Sequence, residues 1–187
     1  MRKFYTESHN KGNAKEQVFV EDLHRIRPDL RFEKTPDVYQ REDRKVFKNG
    51  KHVGFAEFKG RNHDMRRYEN VSPKGTWMIS ASKYLYLVEL SLNYELPSWF
   101  FVRWDDQDRM VQTSSDGYQK YEIKEGGRSD RQDPLDIEPC LFIPFDHMRP
   151  IHVRQETRNA STRELLPFML ADAKIGATQP EEVYVGN

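Results

Sequence analysis

Asp37 follows Pro36, and Glu57 and Lys59 stand two apart across Phe58, in a chain of 187 residues. Two carboxylates and one ammonium are a minimal set for holding a divalent ion and working on a phosphodiester. Mg²⁺ takes one or two carboxylates and leaves its other positions to water and substrate phosphate, so its protein ligand set is sparse. Such an ion stabilises the charge that develops at phosphorus and lowers the pKa of an attacking water. Mg²⁺ is therefore the expected cofactor, with Mn²⁺ able to substitute, and Asp37 and Glu57 are the expected metal ligands. Lys59 would orient or polarise the water, or stabilise the scissile phosphate. The competing reading of Glu57 and Lys59 is a solvated same-face pair on an edge strand. The largely apolar run before them, VGFAEF, argues instead for a covered sheet.

Positioning these groups requires strands. Side chains at i and i+2 of a strand point to one side, so Glu57 and Lys59 project together and Phe58 projects oppositely. Segments 36–40, 44–48 and 51–58 read as strands, and Asn49-Gly50 is a strong hairpin signal between the last two. A helix is expected over about 14–27, because Phe19, Leu23, Ile26 and Leu30 fall on one helical stripe, with Pro28 ending it or bending its last turn. Glu16 shares that inward face, whereas Glu21 lies roughly 200° around from Phe19 and points to solvent. An acidic side chain on a core-facing stripe needs a partner, which a metal site or Lys59 would supply.

Farther along, residues 60–75 read as a polar loop and 76–80 as a short strand. A helix is expected over about 81–96, with Leu85, Val88, Leu92 and Leu96 on one face and Pro97 closing it. SWFFVRW at 98–104 is a buried-strand candidate. Beyond residue 110 the pattern weakens. Segments 117–124 and 140–145 read as strands, and 162–174 as a short helix. The expected organisation is a flexible N-terminus over 1–13, one domain over 14–155, and a C-terminal helix and tail over 156–187.

The pattern Gly12-x-x-x-Glu16, Pro36-Asp37 and Glu57-Phe58-Lys59 resembles the PD-(D/E)XK nuclease superfamily. Within it the chain looks most like archaeal-type Holliday junction resolvases and related phage nucleases. Ile79-Ser80-Ala81-Ser82-Lys83 before a helix, then the strand Phe100-Phe101-Val102-Arg103-Trp104, extends the likeness over residues 12–105. The resemblance implies an α/β fold with a restriction-endonuclease-like core of order αβββαβ, a mixed sheet flanked by helices, and a C-terminal elaboration. It implies that Asp37 and Glu57 bind Mg²⁺, Lys59 assists water attack, and Glu16 completes the catalytic set. The expected activity is Mg²⁺-dependent DNA cleavage, with branched DNA as the leading substrate. Such substrates have two-fold symmetry, which makes a homodimer the expected assembly. The alternatives are a non-catalytic interaction protein that keeps the nuclease fold, and an RNA-processing nuclease.

Other residues carry two readings each. Arg61, Arg66 and Arg67 either grip DNA backbone or sit in a solvated loop. Lys83 and Ser80 either meet a phosphate at a helix N-terminus or leave Ser80 or Ser82 as an ordinary N-cap. Arg103, inside an apolar strand, calls for an acidic partner. Arg128, Arg131, Asp133, Asp136 and Glu138 form a salt-bridge network or a second DNA contact. The six histidines show no zinc-binding spacing.

Composition sets the outer bounds. Charged residues make up 32% and aromatics 12%, so a real core is expected under a well-solvated surface. The net charge is zero, yet residues 1–75 carry 18 Lys and Arg against 12 Asp and Glu, and the remainder reverses this. A basic half is compatible with a phosphate-binding face or with a chance asymmetry. The single cysteine, Cys140, excludes an internal disulfide and a Cys-rich zinc site. With no signal-like N-terminus and no apolar run of about 18 residues, a cytoplasmic protein without a membrane span is expected.

Overall fold

The computed structural model describes residues 3–34, 44–61, 63–70, 75–127 and 137–151, with side chains from residue 14 onward apart from 68–70. The elements are α1 (Lys3–Ile26), β1 (Leu30–Lys34), β2 (Arg44–Lys48), β3 (Lys51–Gly60), β4 (Thr76–Ser80), α2 (Ala81–Tyr94), β5 (Ser98–Arg103), β6 (Asp108–Gln112), α3 (Ser115–Lys120), β7 (Glu122–Gly126), β8 (Glu138–Pro144) and β9 (Arg149–Ile151). A six-stranded mixed sheet runs β1-β2-β3-β5-β6-β9, and a three-stranded sheet runs β4-β8-β7. The architecture is the expected α/β fold, compatible with a restriction-endonuclease-like core.

Local chemistry explains the central strands. Asn49 and Gly50 both take positive φ, 49° and 80°, which lets a two-residue turn match strand twist. The turn sets Lys48 opposite Lys51 and makes β2 antiparallel to β3. β3 then pairs in parallel with β5, Glu57 beside Phe100 and Lys59 beside Val102. β3 is an interior strand of the sheet, and its residues 54–58 are buried.

The pleat of β3 separates two cores. Ala56 and Phe58 face α1, packing with Phe19, Leu23, Phe32 and Phe101. Phe19 meets Phe58 edge-on at 5.7 Å, and Phe58 stacks on Phe101 at 4.9 Å between centroids. Phe55 belongs to the opposite core, with Trp77, Tyr84, Leu87, Phe100, Trp104 and Leu141. By alternation Glu57 and Lys59 lie on this second side, with α2 and the small sheet.

Gly54 is required by a close approach. A Cβ there would overlap the Pro97 carbonyl oxygen and, at 2.5 Å, the Trp99 ring. Gly54→Ala should therefore destabilise the fold by about 1–3 kcal/mol, the usual cost of overpacking a filled core. A urea midpoint unchanged from wild type would contradict this packing.

Several sequence expectations need correction. The first helix begins at Lys3, well before residue 14, because the polar segment still propagates helix. Leu30 is not its last inward residue but the first of β1, since the Pro28 turn redirects the chain. The expected strand 36–40 lies outside the described residues. In α2 the inward face is Ala81, Tyr84, Leu87, Val88 and Leu90, whereas Leu85 and Leu92 are exposed. The reason is that α2 packs across two sheets, which rotates its buried arc. Residues 115–120 form α3, capped by Ser114 accepting from the Gly117 N–H at 2.9 Å, so only the end of segment 117–124 is strand. The strand β6 had no sequence expectation. Residues 65–70 form a 3-10 turn within the expected loop. The expected helix 162–174 lies outside the described residues.

Candidate active site

Glu57 is the most deeply buried acidic residue among the described residues. It sits in the middle of a doubly flanked strand and is 1% exposed. A carboxylate at such a position is costly unless it has partners. Two lysines meet the same oxygen: Lys59 Nζ lies 2.5 Å from Glu57 Oε1, and Lys83 Nζ also lies 2.5 Å from it. Lys59 comes from the same strand face, as its i+2 position requires. Lys83 comes from the first turn of α2, which crosses over this side of the sheet.

Burial alone pushes the Glu57 carboxyl up. The charges of Lys59 and Lys83, and the hydrogen bonds both donate, outweigh that and hold it below the ordinary carboxylate range. Glu57 is thus ionised in the fold. Its second oxygen, Oε2, is buried and has no hydrogen-bond partner among the described residues. A buried ionised oxygen without a donor is a ready ligand for a hard cation.

Glu16 is held elsewhere on β3. Its Oε1 accepts from the Gly60 N–H at 3.3 Å, three residues beyond Glu57 and on the α1 side. The helical stripe did bring Glu16 inward, where it meets the strand backbone at Gly60. Asp37 lies outside the described residues. Its flanks are informative: Lys34 pairs with Arg44, and Arg44 pairs with Ala56, the neighbour of Glu57. No group of three or more His, Cys, Asp or Glu is positioned to hold a metal among the described residues.

The expected DNA-facing arginines gather where β3 and β5 end. Arg61 donates its backbone N–H to the Arg103 carbonyl at 2.8 Å, which continues the strand pairing. Arg66 and Arg67 are exposed on the 3-10 turn, with Arg66 3.8 Å from Asp106. Lys15, from α1, reaches the Arg61 carbonyl and Asp105. His63 in the same cluster is pushed down by burial and then by Arg61 and Arg67, with Asp105 opposing, which favours its uncharged form.

Ser80 occupies the N-cap position of α2, yet its hydroxyl makes no cap bond. It donates to Glu138 Oε2 at 2.6 Å and lies 2.9 Å from the Ser82 hydroxyl. Ser82 is within the helix, so neither serine is the ordinary cap expected. Glu138 therefore ties α2 to β8, while Arg128, Arg131, Asp133 and Asp136 lie outside the described residues. The pairing of Lys83 with Glu57 was not foreseen. No sequence signal gives it, because it depends on how α2 crosses the sheet.

Among the described residues no helix is long and apolar enough to cross a membrane. No curated protein and no solved structure matches the chain. The family described as "Phage putative PDDEXK endonuclease" matches residues 1–151. With the match running over residues 1–151, and Glu57 and Phe58 buried in the sheet with Lys59 beside them, the chain belongs to this phage PDDEXK endonuclease family.

Proposed function

We propose that the protein is a divalent-metal-dependent DNA endonuclease whose centre is built on Glu57, Lys59 and Asp37. The observation that carries this reading is the state of Glu57. It is buried and ionised, with two lysines on Oε1 and no partner on Oε2 among the described residues.

Glu57 Oε2 fits one position of a Mg²⁺ or Mn²⁺ ion, and Asp37 would supply a second carboxylate. Lys34 lies two strands from Ala56, about 10 Å away at the usual strand spacing. Three residues of extended chain span about 10 Å, so Asp37 is within reach of Glu57. When bound, the ion would stabilise charge on the transferring phosphate and make water more acidic. The protein's own groups do the rest. Lys59, fixed by Glu57, holds a positive charge where the phosphate and its attacking water would lie. Glu16 is assigned to the set through Gly60, where it fixes the end of β3. Arg61, Arg66, Arg67 and Lys83 would meet backbone phosphates, and DNA binding should weaken steeply with salt.

Branched DNA is the proposed preferred substrate, acted on by a homodimer. The test is purified protein with branched, linear duplex and single-stranded DNA, and with RNA, in Mg²⁺, Mn²⁺ or EDTA. Metal-dependent cleavage of DNA is expected, fastest on the branched form and absent in EDTA. Failure to cut any DNA with either metal would sink the endonuclease reading. Equal rates on branched and linear DNA would remove only the substrate preference.

Asp37→Asn should lower Mn²⁺ affinity and cleavage while leaving the melting temperature near that of wild type. Calorimetric titration checks this directly, and unaltered affinity would remove Asp37 from the ligand set.

A further inference from the structure

We infer that Lys83 is a resident counter-ion of Glu57, seated where it compensates the carboxylate in the metal-free protein and released to a DNA phosphate when a divalent ion binds. The inference rests on the metal-dependent reading of Glu57 given above.

Two ammonium groups share one carboxylate oxygen, Lys59 and Lys83 each at 2.5 Å from Oε1. One lysine would suffice to neutralise the charge. Their surroundings differ: the Lys83 side chain is 40% exposed and that of Lys59 is 21% exposed. Lys59 emerges from β3 itself, two residues from its partner on the same strand face, and has little freedom to leave. Lys83 stands on a different element, in the first turn of α2, with a four-carbon stem reaching inward.

A divalent ion at Oε2 would add two positive charges to a carboxylate already serving two ammonium groups. Like charges at such separations repel, the more so the less water screens them. The lysine that can reach solvent at least cost is Lys83. The backbone beneath it stays put, because Ser80 is bonded to Glu138 and paired in register with Cys140 of β8. The small sheet therefore serves as the mount from which the Lys83 side chain swings. Before the ion binds, Lys83 is occupied by Glu57 and adds little to DNA affinity. Afterwards it is free to meet a phosphate, so ion and DNA favour each other's binding through this side chain.

The experiment uses the full chain as wild type, Lys83→Met, Lys83→Arg and Glu57→Gln. Mn²⁺ is first titrated calorimetrically without DNA. Lys83→Met should bind Mn²⁺ tighter than wild type, by roughly tenfold, since a competing charge is gone. Lys83→Arg should match wild type, and Glu57→Gln should bind weakly. In a second arm, anisotropy of a labelled DNA duplex is measured with and without Ca²⁺ at constant ionic strength. Lys83→Met should weaken DNA binding several-fold with Ca²⁺ and barely without it. Mn²⁺ affinity of Lys83→Met equal to or below that of wild type overturns the inference, and so does an equal loss of DNA affinity with and without Ca²⁺. If Glu57→Gln lowers Mn²⁺ affinity while Lys83→Met leaves it unchanged, only the counter-ion role falls. If neither wild type nor Lys83→Met binds Mn²⁺, the metal-centre reading falls, and this inference with it.

Discussion

Glu57→Gln is expected to lower metal-dependent DNA cleavage by at least about 10²–10³-fold, the scale of losing one charge-stabilising group from an active site. The substitution keeps the shape of the side chain and removes its charge. Oε2 would become a weak neutral ligand or an amide N–H that repels a cation. Lys59 and Lys83 would lose the negative charge they share and remain as two partly buried ammonium groups on a neutral amide oxygen. DNA affinity without metal should change little or rise, because the local charge becomes more positive. A kinetic loss with intact DNA binding separates this role from a general loss of fold. Stability gives a second readout with a defined sign. The Glu57 carboxyl is held below its ordinary value by the two lysines despite burial. Its ionised form thus stabilises the fold at pH values above about 4.5, the usual glutamate range. That contribution fades as pH falls through the lowered folded value. Wild type should therefore be more stable than Glu57→Gln near neutrality, and the gap should close only well into acid. Cleavage by Glu57→Gln at the wild-type rate would remove this residue from the centre.

Much of the scaffold was legible because its signals are local. Asn49-Gly50 demands positive φ at two successive residues, and only a tight hairpin uses that pair well. The strands 44–48 and 76–80 follow from short β-rich runs ended by turn residues, and the same punctuation starts the next helix at 81. Arg103 in an apolar strand called for an acid, and Asp108 and Asp22 provide it. What failed depended on distant contacts. The face of α2 could not be chosen from periodicity alone, because apolar residues occupy most of its circumference. Leu85 and Leu92 match a helical stripe as well as Tyr84, Val88 and Leu87 do. Only the presence of two sheets decides which set is covered. β1 was hidden because Leu30 fits both the helical stripe and the start of LRFEK.

The site shows the same division. Strand alternation sufficed to put Glu57 and Lys59 on one side and Phe58 on the other, as the two cores show. Helical phase brought Glu16 inward but could not tell which part of β3 it would meet. The result is a bond to the Gly60 N–H. Lys83 appeared in sequence as a phosphate contact at a helix start. Its partner in the fold is an acid 26 residues earlier, reached because α2 lies over β3. A motif spaced two apart is encoded by strand geometry, whereas a pair joined across elements is encoded by the packing of everything between them.

Arg103→Ala should destabilise the protein by about 3–5 kcal/mol, the usual cost of breaking a buried ion pair by removing one member. Arg103 is 3% exposed, and its Nε and Nη2 donate to Asp108 Oδ1 and Oδ2 at 2.9 and 2.8 Å. Nη1 donates to Asp22 Oδ2 at 2.7 Å, and the guanidinium lies 4.3 Å from the Phe19 ring centre. One side chain thus joins β5 to β6 and to α1. Burial alone would pull the guanidinium's pKa down, but bonds to Asp108 and Asp22 more than reverse that. Deleting it takes both guanidinium bonds from Asp108, whose side chain is 1% exposed. Exposure sets the size of the effect. Arg27 pairs with Asp29 at 2.6 Å near the surface, and losing that pair should cost no more than about 1 kcal/mol. Chemical denaturation of Arg103→Ala and Arg27→Ala tests the contrast, and comparable losses would refute it. A double variant, Arg103→Met with Asp108→Leu, should be far less destabilised than the sum of its single changes, since the two side chains are directly bonded and each single change already breaks the same buried pair. At temperatures where Arg103→Ala stays folded, its Mn²⁺ affinity should match that of wild type. Arg103 anchors α1 through Asp22, while Glu57 projects to the α2 side of the sheet and meets Lys83, so the two roles can be measured apart.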